Sequence, residues 1–321
     1  MVNIPGRPRI IPIASGKGGV GKSIFAASLA INLARRGEST VAVDLDLGGS
    51  NLHTYLGMPN TNPGVGDFLK QRLTDLPSLV VPTPVDNLGF LPGDGKTPFM
   101  ANISTRQRLH LLDELLRLKA RYIIVDLGAG SAINTMNLFG LALDGIVITT
   151  LDTPALMNAL VFLRNFTFAN ILSLASERAP TRKMLLNAYR RSADGANLTA
   201  EEIYDLLAAH DPLLARQIRQ RLERFTPRFV YNMADQPEDL RVAGRIQDTL
   251  KKNLSMNSSP LGLLFYDSAV RKSVRQNKVF LREQPDTPYA RGLRAITDRL
   301  LKSAAQSPSL ETLISEARRH A

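Results

Sequence analysis

The feature that most constrains this chain is a short glycine-rich segment near its start that ends in a lysine and a serine. It reads, in order, Gly16, Lys17, Gly18, Gly19, Val20, Gly21, Lys22 and Ser23. An apolar run at residues 10–14 precedes it, and residues 24–36 have a helical pattern that Gly37 can terminate. Glycines let successive backbone N–H groups point at one anion at the start of such a helix. The segment therefore predicts a βα unit whose connecting loop binds phosphate groups.

Apolar runs of strand length alternate with helical stretches along most of the chain. The predicted strands are residues 10–14, 40–45, 88–91, 122–127, 145–150, 228–231 and 261–265. Several of these runs are apolar on both faces, as expected for parallel strands that are covered by helices on each side. The alternation predicts a doubly wound α/β fold, with a mostly parallel sheet flanked by helices as in P-loop NTPases.

The alternation of strands and helices is interrupted at about residues 155–227, where a long helical pattern replaces a single crossover helix. Thr199 and Glu202 have the spacing of a capping box within it. We therefore predict one P-loop ATPase domain at residues 1–305 that contains a helical insertion. Residues 306–321 are predicted to be a hinge and a C-terminal helix.

Two of the predicted strands end in carboxylates. Asp44 lies near the end of the run 40–45, Asp46 directly follows that run and precedes a glycine pair, and Asp126 lies near the end of the run 122–127. Asp44 and Asp46 point the same way if the strand continues to Asp46. Asp126 and the hydroxyl of Ser23 suit Mg²⁺, which prefers oxygen ligands, and Lys22 would neutralise the β- and γ-phosphates.

Together these motifs resemble the deviant Walker A ATPases of the MinD/ParA class, which carry Lys-Gly-Gly-Val-Gly-Lys-Thr/Ser in the phosphate-binding loop. The segment Asp126 to Gly130 is most similar to the FlhG and FleN subgroup. The resemblance covers about residues 9–153 and 228–300. It implies an ATPase that binds ATP and Mg²⁺, forms a homodimer around them, and uses slow hydrolysis to control the position or number of a cellular structure.

The same resemblance assigns roles to individual residues. Lys17 would reach the partner's phosphates, Asp46 would activate water and contribute to the metal site, and residues 48–51 and 128–130 would be the two switch loops. Asn232 would bind adenine, because the family's late strand closes on an asparagine. Asp267 would be a base-pocket residue, although Phe265 stands where the family usually has proline. The predicted nucleotide-binding set is Gly16, Lys17, Gly18, Gly19, Val20, Gly21, Lys22, Ser23, Asn232 and Asp267, and the metal set is Ser23, Asp46 and Asp126.

One feature departs from the family pattern, and another narrows the choice among relatives with the same loop. Pro12 lies inside the first predicted strand, where its missing N–H should cost a ladder hydrogen bond. The chain has no cysteine, which disfavours nitrogenase iron protein, Fe–S carrier ATPases, the arsenite pump ATPase and cobyrinate-type amidotransferases. Two alternatives to a MinD- or FlhG-like positioning ATPase stay open: a ParA-like DNA partition ATPase, and a nucleotide-locked scaffold with little turnover.

The net charge of +11 is unevenly distributed along the chain. Residues 1–150 carry 14 Lys and Arg against 11 Asp and Glu, whereas residues 151–321 carry 26 against 18. The basic second half favours an anionic partner, either nonspecific DNA or an anionic membrane surface, besides an unidentified protein that stimulates hydrolysis. No uncharged apolar run of membrane-spanning length is evident, so we expect a cytoplasmic protein, peripheral at the inner face of the membrane if it uses that surface.

Overall fold

The computed structural model describes residues 7–46, 49–70, 75–93, 103–175, 179–193, 198–276, 278–302 and 308–321. Its centre is an eight-stranded sheet in the order β3-β4-β2-β5-β1-β6-β7-β8, in which the pairing of β3 with β4 is antiparallel and every other pairing is parallel. The strands are β1 (Arg9–Ala14), β2 (Thr40–Leu45), β3 (Val81–Pro82), β4 (Leu88–Leu91), β5 (Tyr122–Leu127), β6 (Ile146–Thr150), β7 (Arg228–Ala234) and β8 (Ser259–Phe265). The predicted doubly wound fold is confirmed, and β3 is the strand that the sequence pattern did not predict.

Helices cover both faces of the sheet. They are α1 (Lys22–Arg35), α2 (Leu52–Tyr55), α3 (Val65–Leu69), α4 (Thr105–Leu116), α5 (Ile133–Phe139), α6 (Thr153–Leu174), α7 (Ala179–Ala193), α8 (Ala200–Ala208), α9 (Pro212–Glu223), α10 (Val242–Leu254), α11 (Ser268–Arg275), α12 (Phe280–Glu283), α13 (Pro288–Leu301) and α14 (Leu310–Arg318). The helix α1 is buried almost all round, between the sheet and α13, because its sequence is apolar on every face. This burial fixes the start of α1 at the carboxyl end of β1.

Pro12 fits the central strand because of where the neighbouring pairing begins. Alternate residues of a parallel strand bond to alternate neighbours, and Arg9 donates its N–H to Arg121 on the β5 side. Pro12 is an odd number of residues further and so faces β6. The pairing of β1 with β6 begins one residue later, at Ile13. The missing N–H of Pro12 therefore lies just before that ladder.

Four helices, α6 to α9, lie between β6 and β7, where the sequence predicted a helical segment. As its spacing predicted, Thr199 caps α8 by accepting from the N–H of Glu202, whose side chain accepts from Thr199 in return. Within the described ranges, α6 alone has the length and mean hydropathy of a membrane span. Its Phe162 and Phe166 are fully buried in the core, however, so this structure uses α6 as a core helix.

The two edges of the sheet are protected against pairing with a further strand in different ways. The edge strand β3 has only two residues, and the second is Pro82. At the other edge, the Arg299 guanidinium donates to the carbonyl of Leu261 in β8 and, at 2.6 Å, to Glu316 of α14. The helix α14 packs against β8 and the 3-10 helix Pro237–Arg241 and buries its apolar stripe. Of the predicted hinge, residues 306 and 307 lie outside the described residues.

Candidate functional site

The glycine-rich loop connects β1 to α1 at the carboxyl edge of the sheet, where open α/β sheets bind ligands. Gly19 and Gly21 have φ angles of 83° and 88°, which residues with a Cβ adopt only at a cost. At Gly16 a Cβ would lie 2.2 Å from the backbone of Asn158 in α6, so the loop needs glycine there for close packing. A Cβ at Gly18 or Gly19 would meet nothing within 4 Å. Helix α6 thus packs against one side of the loop, at Gly16, while the side at Gly18 and Gly19 is open.

The ammonium group of Lys22 lies close to three predicted catalytic or metal-binding side chains, those of Ser23, Asp46 and Asp126. Its Nζ donates to Oδ1 of Asp126 at 2.7 Å and lies 4.0 Å from Oδ2 of Asp46 and 3.4 Å from the hydroxyl of Ser23. Lys22 is 7% exposed and Asp126 is fully buried. Burial raises the pKa of Asp126, and the Lys22 ammonium acts in the opposite direction. Lys22 of α1, Asp126 of β5 and Asp46, which directly follows β2, therefore form one charged cluster under the loop.

The two aspartates at the carboxyl end of β2 have different surroundings, because Asp44 belongs to the strand whereas Asp46 follows its end at Leu45. Asp44 is fully buried and accepts hydrogen bonds from the hydroxyl of Ser50 at 2.6 Å and from the N–H groups of Leu52 and Asp46 at 3.0 Å each. Burial, then the neighbouring Asp126 carboxylate, raises the pKa of Asp44 to about 7. Asp44 thus fixes its own loop, whereas Asp46 faces Lys22.

Asp46 also lies against the turn that follows β5. Its Oδ1 would be 3.3 Å from a Cβ at Gly128. Gly130, two residues further, donates its N–H to the carbonyl of Ser15 at 2.9 Å. The predicted second switch loop, 128–130, is therefore in contact both with Asp46 and with the phosphate-binding loop. Gly48, in the predicted first switch loop, lies outside the described residues.

Lys17 points away from this cluster, along the surface of its own chain. Its Nζ donates to Oδ1 of Asp152 at 2.9 Å, and the two side chains are 35% and 48% exposed. Asp152 follows β6 and caps α6 by accepting from the N–H of Ala155 at 3.0 Å. A hydrogen bond from Thr150, then one from Lys17, lowers the pKa of Asp152 to about 2. Lys17 thus has an anionic partner in its own protomer.

Asp152 is a site residue that the sequence reading missed. It stands two residues after a predicted strand and two residues before Pro154. An acid followed by proline near the first helical position is the signature of a helix N-cap. That signal could have located Asp152 at the carboxyl edge of the sheet, but not its contact with Lys17.

The two residues predicted to contact the base make other contacts in this structure. Asn232 is buried in β7, and its amide nitrogen donates to the carbonyl of Val20 at 2.8 Å, so it braces the phosphate-binding loop. Asp267 caps α11 by accepting from the N–H of Ala269 at 2.9 Å, while its Oδ2 is buried without a hydrogen-bond partner among the described residues. Their roles at adenine stay predictions.

The residues present fit a phosphate group with Mg²⁺. Oδ2 of Asp126 is buried and has no hydrogen-bond partner among the described residues, so it can become a ligand without breaking a bond. In the described part of the chain, no cluster of three His, Asp or Glu side chains can hold a metal. This donor set suits Mg²⁺, which combines one or two carboxylates with phosphate and water. The space in front of Gly18 and Gly19 is open.

Comparisons with known proteins agree with this geometry. The profile of the family described as the CobQ/CobB/MinD/ParA nucleotide binding domain (CbiA) matches residues 11–290. The chain is 37% identical over 122 residues to the septum site-determining protein MinD of Helicobacter pylori, covering 38% of this chain and 45% of that protein. It is 28% identical over 244 residues to the flagellum site-determining protein YlxH of the same organism, covering 71% and 80%. The first of these alignments spans about half the length of the relative.

A solved structure shares the fold over nearly the whole chain. It is that of the septum site-determining protein MinD from Pyrococcus horikoshii, complexed with Mg-ADP. The similarity has a TM-score of 0.62 and covers 94% of this chain and 99% of that one, at 19% sequence identity. The overall fold of this chain has thus been seen in a solved structure.

Proposed function

Because the chain belongs to the CobQ/CobB/MinD/ParA family of nucleotide-binding domains, we propose that it is an ATP-dependent switch of the MinD and FlhG kind. It binds ATP with Mg²⁺, dimerises around the nucleotide and hydrolyses ATP to ADP and phosphate slowly. The observation that carries the proposal is the cluster of Lys22, Asp126 and Asp46 beneath an open glycine loop. The site-determining functions of two relatives support positioning as the biological role.

Each residue of the cluster has a definite task in this proposal. The loop N–H groups and Lys22 bind the phosphates, so Lys22 exchanges part of its contact with Asp126 for phosphate oxygens. Asp126 and Ser23 would hold Mg²⁺, which would supply positive charge to the phosphate oxygens. Asp46, half-buried beside Gly128, orients water and accepts its proton. Asp46 is also the feature that favours a hydrolysing switch over a scaffold with little turnover.

Dimerisation is supported by the surface around the loop. Met157 of α6 and Ile133 at the start of α5 are 54% and 51% exposed. Both are close in sequence to residues that touch the loop, because Asn158 packs on Gly16 and Gly130 bonds to Ser15. In this proposal the two exposed apolar side chains belong to the contact surface between copies. Lys17 lies in the same region and would cross to the partner's phosphates on leaving Asp152.

The decisive experiment is light scattering of the full chain with ADP and with a slowly hydrolysed ATP analogue, in the presence of Mg²⁺. We expect a dimer with the analogue and a monomer with ADP. Lys17→Ala should stay monomeric and still bind nucleotide, because Lys17 acts on the partner's site. A variant that dimerises as well as the unmodified chain would show that the lysine is not needed across the interface.

The surface on which the dimer acts is a second question. The apolar stripe of α14 is buried, with Leu313 and Ile314 2% and 8% exposed, so little of it is free for lipid. We therefore expect at most weak, ATP-dependent binding to anionic vesicles. Co-sedimentation of the full chain and of a chain ending at Ala305 tests this. Nonspecific binding to a DNA duplex that depends on ATP and falls steeply with salt would instead favour a ParA-like role.

A further inference from the structure

A broad groove of about 820 Å³ lies between α4, α5, α6 and α9, away from the residues assigned to nucleotide. Its floor is apolar and is formed in part by Met136, Leu141 and Phe225, which are 7%, 9% and 3% exposed. Leu109 of α4 lines the same groove and is 54% exposed. Leu109 and the floor together give the groove an apolar surface that side chains of a partner can cover.

Positive charge surrounds this floor. Arg108 of α4, Arg221 of α9 and Arg224 just after α9 line the groove. None of their guanidinium groups forms an ion pair or hydrogen bond with the described residues, in contrast to Arg219 on the same helix, which is paired with Glu201. An unpaired arginine keeps its donors available for a carboxylate.

No acidic side chain from the described part of the chain lines the groove. Asp113, Asp144 and Glu223 are adjacent in sequence to lining residues but do not themselves line the groove. Asp144 pairs with Arg9 and Arg228, and Glu114 pairs with Arg117. The groove is therefore complementary to a negatively charged occupant that also carries apolar groups.

We propose that this groove binds an acidic amphipathic segment of another protein. The apolar side chains of that segment would cover Leu109 and the floor, and its carboxylates would face Arg108, Arg221 and Arg224. The shape excludes the other anionic candidates, because a membrane surface does not enter a concave groove and a DNA backbone offers no apolar side chains to its floor. The docking does not require ATP hydrolysis and so stands apart from the proposed function.

The position of the groove gives docking a route to the nucleotide site. Met136 and Asn137, which line it, belong to α5. The same helix begins three residues after Gly130, which bonds to the phosphate-binding loop. A segment that packs on α5 would thus contact the element that follows the second switch loop.

The test is selection of a displayed random peptide library on the full chain, followed by fluorescence anisotropy with the enriched peptides. We expect enriched peptides to be acidic, with apolar residues at i, i+3, i+4 and i+7. Arg221→Glu and Leu109→Glu should each weaken the dissociation constant at least about tenfold, since each places a like charge or a polar group at the contact. Arg216→Glu, an exposed change on α9 outside the groove, should alter it less than about twofold.

Several results would overturn the proposal. Enriched peptides that are neutral or basic, or that bind Arg221→Glu as tightly as the unmodified chain, would exclude an acidic occupant in this groove. Failure to enrich any sequence would do the same. If a short DNA duplex or phosphatidylserine vesicles bind and lose binding in Arg221→Glu but not in Arg216→Glu, the groove serves that surface instead. Thermal unfolding of each variant shows that it is folded.

Discussion

The phosphate-binding loop contains two lysines, an inner one, Lys22, and an outer one, Lys17. Each contacts a carboxylate at nearly the same distance, 2.7 Å for Lys22 and 2.9 Å for Lys17, yet the surroundings of the two pairs differ. Lys22 and Asp126 are shielded from water, and removing one partner of such a pair costs about 3–5 kcal/mol. Lys17 and Asp152 are substantially exposed, and such a pair contributes about 0–1 kcal/mol. The inner lysine is therefore fixed in its own site, whereas the outer lysine can exchange its partner at little cost.

The largest effect is expected at the inner lysine. Lys22→Ala should weaken nucleotide binding at least about 100-fold, because it leaves phosphate charge unmatched. It should also destabilise the free protein by about 3 kcal/mol, since the Asp126 carboxylate stays buried without its partner. Calorimetry measures the affinity, and the nucleotide-induced rise in melting temperature should disappear. Lys17→Ala is the matched control and should bind within about threefold of the unmodified chain. Equal losses in the two variants would contradict the distinction between the lysines.

A second large effect is expected at the acid beside Lys22. Asp46→Ala should lower phosphate release about 100-fold or more, to background, because a positioned base contributes about 10²–10⁴ in rate. Nucleotide affinity should change little, and the ATP dimer should persist longer. A release assay and light scattering measure both. Turnover near that of the unmodified chain would transfer the role to another group, with Asp44 the first to examine.

The smallest effect is expected at Asp152, the partner of the outer lysine. This prediction tests the difference between the two lysines most directly. Asp152→Asn removes the charge that holds Lys17 while keeping a residue that caps α6 well. Dimerisation with the ATP analogue should strengthen by about two- to fivefold, since an exposed pair is worth about 1 kcal/mol or less. Sedimentation over a range of protein concentrations measures it. Loss of the dimer would mean that the Asp152 carboxylate itself is needed across the interface.

The sequence predicted most of the sheet because long apolar runs are a local property. The run 122–127 became a strand with the same bounds, since a strand covered on both faces needs apolar side chains throughout. β3 was not predictable, because two residues that include Pro82 have no periodic pattern and pair only through their contact with β4. The distinction between Asp44 and Asp46 was also hidden, because it depends on a loop that folds back to place Ser50 and Leu52 on Asp44.

Contacts between distant residues limited the prediction of the site. Lys17 and Asp152 are 135 positions apart, and Asn232 and Val20 are 212 apart. Each of these contacts exists because parallel strands bring their carboxyl ends to one edge of the sheet. The pattern of one segment can predict that edge but not which side chains touch there. The groove beside α5 has the same origin, because four helices from separate segments form it.

The two protected edges of the sheet restrict how copies of this chain can assemble. At one end a two-residue strand with Pro82 offers little backbone for pairing, and at the other Arg299 occupies a carbonyl of β8 with α14 alongside. Proteins use proline, short strands and charged side chains at sheet edges to prevent strand addition by another chain. Strand addition at either of these edges is therefore disfavoured. The dimer that we propose is expected to form through loops and helices, without extending the sheet of either copy.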